Sequence, residues 1–204
     1  MKEIDLIEEC VRMEEDTRLS EAIDFYWPVK KGKEEKNDMS ERNLSLHVMR
    51  SFIKKDFHVY AEVPCNDGSN EHVDFIAMKP DGKAADILVV GEAKNLYGSQ
   101  QAKAMCTDID KINNFELPGE KEDKPEYRLK IGLLIAFTWD KKIFEWWNNW
   151  DSDNPLGGGG EGWKDLWKKL KNAIRGTYLL YDGEEGETER MRKCNALYAI
   201  FLIK

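Results

Sequence analysis

The stretch HVDFIAMKPDGKAADILVVGEAKN, residues 72 to 95, reads as a β-hairpin whose second arm ends against its own pattern. HVDFIAMKP has the composition of a strand, PDGK is a turn signal, and ADILVVGEAKN opens apolar before closing on Glu92, Ala93, Lys94 and Asn95. The ILVV run is apolar at every position, as expected for a central strand covered by helices on both faces. A carboxylate and an ammonium at the end of such a strand need a reason.

Glu92 and Lys94 are two apart, so they leave the same face of the strand, while Ala93 points the other way. The turn is centred between Gly82 and Lys83. Asp74 and Glu92 stand equally far from Lys83, so the hairpin places them opposite or nearly so. Two carboxylates facing each other across a ladder lie roughly 5 Å apart and repel unless something bridges them. A divalent cation would do so, and oxygen ligands completed by water favour Mg2+ or Mn2+ over zinc. Lys94 alongside could polarise a water or stabilise charge on a phosphate. Such a set suits phosphodiester hydrolysis.

Outward from the hairpin, residues 2 to 26 read as a helix with Ile4, Ile7, Val11, Leu19 and Ile23 as its apolar stripe. KKGKEEKND (30–38) reads as a charged loop. Ser40 followed by Glu41 marks a helix start, with Leu44, Val48, Phe52 and Ile53 as its buried face and its end near Phe57. HVYAEVP (58–64) is a strand. After the hairpin, Ser99 can cap a helix reaching about Phe115, and LKIGLLIAFTW (129–139) is a further buried strand. KKIFEWWNNW (141–150) reads as a helix. So does the stretch from Trp163, with Leu166, Trp167, Leu170 and Ile174 on one face. TYLLYD (177–182) and ALYAIFLIK (196–204) read as late strands. The expected architecture is α/β: a core of order α-β-β-β-α-β, a mixed central sheet flanked by helices, and N-terminal helical and C-terminal αβ elaborations.

These residues resemble the PD-(D/E)xK nuclease superfamily, the restriction-endonuclease-like fold. Its acid on one strand would be Asp74 in HVDFIAM, its acid-x-lysine Glu92 and Lys94 in GEAKN, and its upstream helix glutamate Glu41 in SERNLSLHVMRSF. The resemblance covers residues 40 to 140. Residues 1–39 would form a helical extension with a charged loop, and 141–204 Trp-rich helices and strands packing on the core. It implies Asp74, Glu92, the Ala93 carbonyl and Glu41 as ligands of Mg2+ (or Mn2+), and Lys94 as the catalytic cation. Val73 stands where the motif's name has proline. Gln100 and Gln101 are not followed by tyrosine four residues on, unlike the RecB-like exonuclease branch. The implied activity is a nuclease of restriction, repair or mobile-element type acting on DNA. Two other readings stay open: a catalytically inactive nucleic-acid-binding or assembly subunit of the same fold, and an unrelated α/β protein whose acids are incidental.

Composition sets the bounds. The net charge of −8 counts against nucleic acid at first, yet residues 1–40 hold 12 acids against 7 bases and so carry −5 of it. Residues 163–175 hold five bases and one acid, so phosphate could be met locally. Gln100, Lys103, Lys168 and Lys169 are candidate nucleic-acid contacts, although Lys168 and Lys169 read first as a solvated helix face. Six of the seven tryptophans fall between Trp139 and Trp167, as an aromatic core or, less simply, as base-stacking surfaces. The adjacent Trp146 and Trp147 cannot share one helix face, which places one of them near the surface. Glu41 is explained equally by the helix macrodipole, and an outward position is expected for Glu62. The dispersed cysteines Cys10, Cys65, Cys106 and Cys194 suggest reduced thiols, and no apolar run approaches the roughly 20 residues of a membrane span. A cytoplasmic protein is expected, with room for a homodimer or a partner protein.

Overall fold

The ILVV run becomes the inner part of a central strand. The computed structural model describes residues 2–12, 41–66, 70–81, 84–117, 127–150, 160–182 and 193–203. Its strands are β1 (His58–Pro64), β2 (His72–Asp81), β3 (Ala84–Asn95), β4 (Leu129–Thr138), β5 (Ile174–Asp182) and β6 (Lys193–Leu202). They form one mixed sheet in the order β1-β2-β3-β4-β6-β5. β1, β2 and β3 are antiparallel neighbours, β3 and β4 are parallel, and β6 pairs antiparallel with both β4 and β5. The parallel β3–β4 step is made across α3 (Ser99–Asn113), the crossover that a parallel pair requires.

Alternation along β3 divides the core. Val89 and Ala93 face α1 (Lys2–Arg12) and α2 (Glu41–Lys54), in one cluster with Ile7, Val11, Leu44, Val48 and Phe52. Leu88 and Val90 face the other way, onto Ile112 of α3. Further along the same layer lie α4 (Lys141–Asn149) and α5 (Glu161–Leu170), with Ile143 and Leu166 against Leu134 and Ala136 of β4. Helices therefore flank the sheet on both sides. The four cysteines are buried and free.

Several expectations are corrected. Ile53 is 58% exposed, because Leu44, Val48 and Phe52 already define the buried stripe at i, i+4 and i+8 and Ile53 lies a further 100° round the helix. Ser99 is the first helical residue and not a cap; the cap is Gly98, with no side-chain hydrogen bond. Ile174 leaves the helical face, because α5 ends at Leu170 and Ile174 opens β5. Trp146 and Trp147 are both buried, at 3% and 1% exposure. Helix α4 has the sheet on one side and Trp163 of α5 on the other, so two positions 100° apart both meet protein. Trp146, Trp147, Trp150 and Trp163 pack edge to face or tilted, and the Trp167 indole donates to the Trp150 carbonyl at 3.1 Å. Trp146, Trp147, Trp150 and Trp163 form an aromatic core, and Trp167 packs against it partly buried. The C-terminal strands join the sheet through β4–β6 pairing. The proposed Ser40 cap, the Leu19 and Ile23 part of the first helix and the 30–38 loop lie outside the described residues.

One glycine is dictated by the hairpin. Gly91 pairs with Phe75, whose ring lies across it, and a Cβ there would stand 2.1 Å from the ring. Gly91→Ala is expected to destabilise the protein by about 1–3 kcal/mol in urea unfolding. An unchanged midpoint would mean that the Phe75 ring can move aside.

Candidate active site

The β2–β3 ladder runs Phe75↔Gly91, Ile76↔Val90, Ala77↔Val89, Met78↔Leu88 and Lys79↔Ile87, the register expected from the turn. One step beyond Phe75, the Asp74 carboxylate enters the sheet's hydrogen bonding. The Ala93 amide donates to Asp74 Oδ2 at 2.7 Å, and the Ser45 hydroxyl of α2 donates to the same oxygen at 3.3 Å. On the other side of Asp74, the β1–β2 ladder skips Glu62, between Ala61↔Phe75 and Val63↔Val73. Glu62 has φ 52°, a left-handed conformation unusual within a strand. Its exposed carboxylate lies 3.9 Å from the Arg42 guanidinium.

Glu92 is 2% exposed, on the face of β3 that α3 covers. Burial pushes its carboxyl up to about 8, the negative charge of Asp74 adds to the rise, and the Lys111 ammonium only partly offsets both. Lys111, in the last turn of α3, touches Glu92 Oε1, donates to the His72 carbonyl at 2.9 Å and lies 3.7 Å from Asp108 Oδ1. Lys94, two residues beyond Glu92, lies 3.1 Å from Asp108 Oδ2 and 4.0 Å from Glu41 Oε2. Burial alone would depress both lysines, but their acidic neighbours outweigh it and hold both ammoniums above the ordinary lysine value. Glu41, at the start of α2, accepts the Asn95 amide at 2.8 Å and so ties the end of β3 to the helix.

The result is a chain of alternating charge: Glu41, Lys94, Asp108, Lys111, Glu92, with Asp74 beyond. Four carboxylates against two ammoniums leave a formal charge of −2. Glu92 Oε1 and Asp108 Oδ2 are buried, and each lies against an ammonium, that of Lys111 and that of Lys94 respectively.

The structure thus brings Asp74, Glu92, Lys94 and Glu41 to one end of the central strand. It adds Asp108 and Lys111, which the sequence reading passes over. Among the described residues, no three His, Cys, Asp or Glu side chains form a group able to hold a metal ion, so Glu41 does not join Asp74 and Glu92 in such a cage. Gln100 and Lys103 are exposed on α3. Lys168 lies 3.9 Å from Asp165, and Lys169 pairs with Asp110. None of these four forms an ion pair with the cluster.

No family model matches the chain, and neither a curated protein nor a solved structure matches it. Among the described residues, no helix is long and apolar enough to cross a membrane.

Proposed function

We propose that the chain is a divalent-metal-dependent nuclease of the PD-(D/E)xK class that hydrolyses phosphodiester bonds in DNA, with residues 40–140 as its restriction-endonuclease-like core. The order α2-β1-β2-β3-α3-β4, with β3 and β4 parallel across α3, supports that core. One observation carries the function: Glu92 is buried at the end of the central strand within the field of Asp74, and Lys94 follows on the same face.

The residues fit Mg2+ or Mn2+ held in the manner usual for Mg2+, through two carboxylates with water completing the shell. A bound cation would hold Glu92 ionised, and the four carboxylates against two ammoniums then leave the charge that one divalent ion balances. Asp74, Glu92 and the Ala93 carbonyl would hold the ion, which when bound supplies an acidified water and a clamp on a phosphoryl oxygen. Lys94 donates to the phosphate as negative charge builds on its oxygens. Asp108 and Glu41 position Lys94 from either side. Asp74 also fixes the strand end, since its carboxylate receives the Ala93 amide.

The test incubates plasmid, single-stranded DNA and RNA with the protein in Mg2+, Mn2+ or EDTA. Cleavage is expected with either metal and not with EDTA. Asp74→Asn is expected to lower the rate by at least about 10²-fold. Asparagine is preferred to alanine because the side-chain oxygen can still receive the Ala93 amide; an unsatisfied buried amide costs about 1–3 kcal/mol. Cleavage that persists in EDTA or in Asp74→Asn sinks the reading.

One observation favours a second reading, a binding or assembly subunit without catalysis: an ammonium, that of Lys111, already lies on Glu92. Under that reading no substrate is cut, and nucleic acid is retained equally with and without metal.

A further inference from the structure

We propose that Lys111 is a resident counter-cation, which a divalent ion must displace from Glu92 before the site can work. The inference rests on the metal-dependent reading above and concerns how that same site is controlled.

The two partly buried ammoniums are held differently. Lys94 lies between Asp108 and Glu41, apart from the proposed ligands Asp74 and Glu92. Lys111 touches Glu92 itself, at Oε1, on the carboxylate that the proposed cation would use. An ammonium and a divalent ion on one carboxylate oppose each other, because like charges repel at contact distance. The Lys111 contact is a charge-assisted ion pair made by a flexible side chain, so a second cation can compete for the same carboxylate.

Lys111 also has somewhere to go. Its ammonium already donates to the His72 carbonyl at 2.9 Å and lies 3.7 Å from Asp108 Oδ1, one helical turn back. It stands in the last turn of α3, where the helix dipole favours a positive charge. Withdrawing from Glu92 therefore exchanges one carboxylate for another and leaves no bare charge. In the metal-free protein Lys111 is the cation that lies against Glu92. In the loaded protein it has moved to Asp108, beside Lys94. The cost of that exchange weakens metal affinity, so the site fills only when the divalent ion, or the ion together with a phosphate, repays it.

The test measures Mn2+ binding directly, by electron paramagnetic resonance of free Mn2+, on the full chain without substrate. Lys111→Met keeps the aliphatic stem and removes the charge; it is expected to tighten Mn2+ binding by about tenfold or more. Lys111→Arg, which restores a cation, is expected to return the affinity toward wild type. Glu92→Gln is expected to abolish binding in either background. If Lys111→Met does not fold by circular dichroism, Lys111→Gln, which keeps a donor for the His72 carbonyl, takes its place. Folded variants that bind Mn2+ no more tightly than wild type overturn the inference while leaving the metal site standing. A folded wild type and a folded Lys111→Met that both fail to bind Mn2+ overturn the metal site, and this inference with it.

Discussion

Lys94→Met is expected to lower the cleavage rate by about 10²–10⁴-fold with little change in substrate affinity. An ammonium aimed at a phosphate contributes most when charge builds on the oxygens in the transition state. Its removal should therefore appear in kcat more than in KM. The fold should tolerate the change, because neither of its partners is abandoned. Asp108 keeps Lys111 at 3.7 Å, and Glu41 keeps the Asn95 amide at 2.8 Å. The stability loss should thus stay below the roughly 3–5 kcal/mol that follows when a buried charge loses its only partner. Steady-state rates and urea unfolding on the same preparation separate the two effects. A large loss of stability with an unchanged rate would make Lys94 a strut between Asp108 and Glu41 and nothing more.

The hairpin was the most legible part of the chain. Counting outward from Gly82 and Lys83 gives the register that the ladder shows from Phe75↔Gly91 to Lys79↔Ile87. Counting could not reveal the slip between Lys79 and Pro80, because proline has no N–H and a bulge there depends on backbone geometry. It also could not reveal that Asp74 would receive the Ala93 amide through its side chain. Asp108 and Lys111 were missed for a different reason: in a chain so rich in charge, acids and bases on a helix read as solvated. A signal was present. Asp108 lies three residues after Met105 and four before Ile112, within the apolar stripe of α3, and is only 7% exposed. An acid inside an apolar stripe calls for a cationic partner, and Lys94 on β3 is that partner. The adjacent tryptophans misled because a helix was assumed to bury one face, whereas α4 lies between the sheet and α5.

Glu92→Gln is expected to make the protein more stable, by an amount that grows as the pH rises from about 4.5 to about 8. In the unfolded chain the Glu92 carboxyl titrates near 4.5, and in the folded protein near 8, pushed there first by burial and then by Asp74. Below the lower value both states hold the proton, and glutamate and glutamine differ little. Between the two values the folded protein keeps a proton that the unfolded chain has released. Each pH unit there removes up to about 1.4 kcal/mol of wild-type stability. Above the upper value the loss is complete, at roughly 3–5 kcal/mol. Glutamine does not titrate and escapes the whole of it. The variant does leave Lys111 with Asp108 alone, but Lys111 stays charged throughout this window. That cost shifts the difference between the proteins without changing its slope. Urea unfolding of both proteins across the window measures the gap, and a gap flat with pH would sink the burial of Glu92 at the end of β3. The direction matters beyond stability. A carboxylate that weakens its own fold at neutral pH, on a strand otherwise packed with valine, leucine and isoleucine, is poorly explained by packing. Proteins commonly give up stability of this kind at the sites where they work, and that supports the reading of Glu92 as a group kept for what it binds.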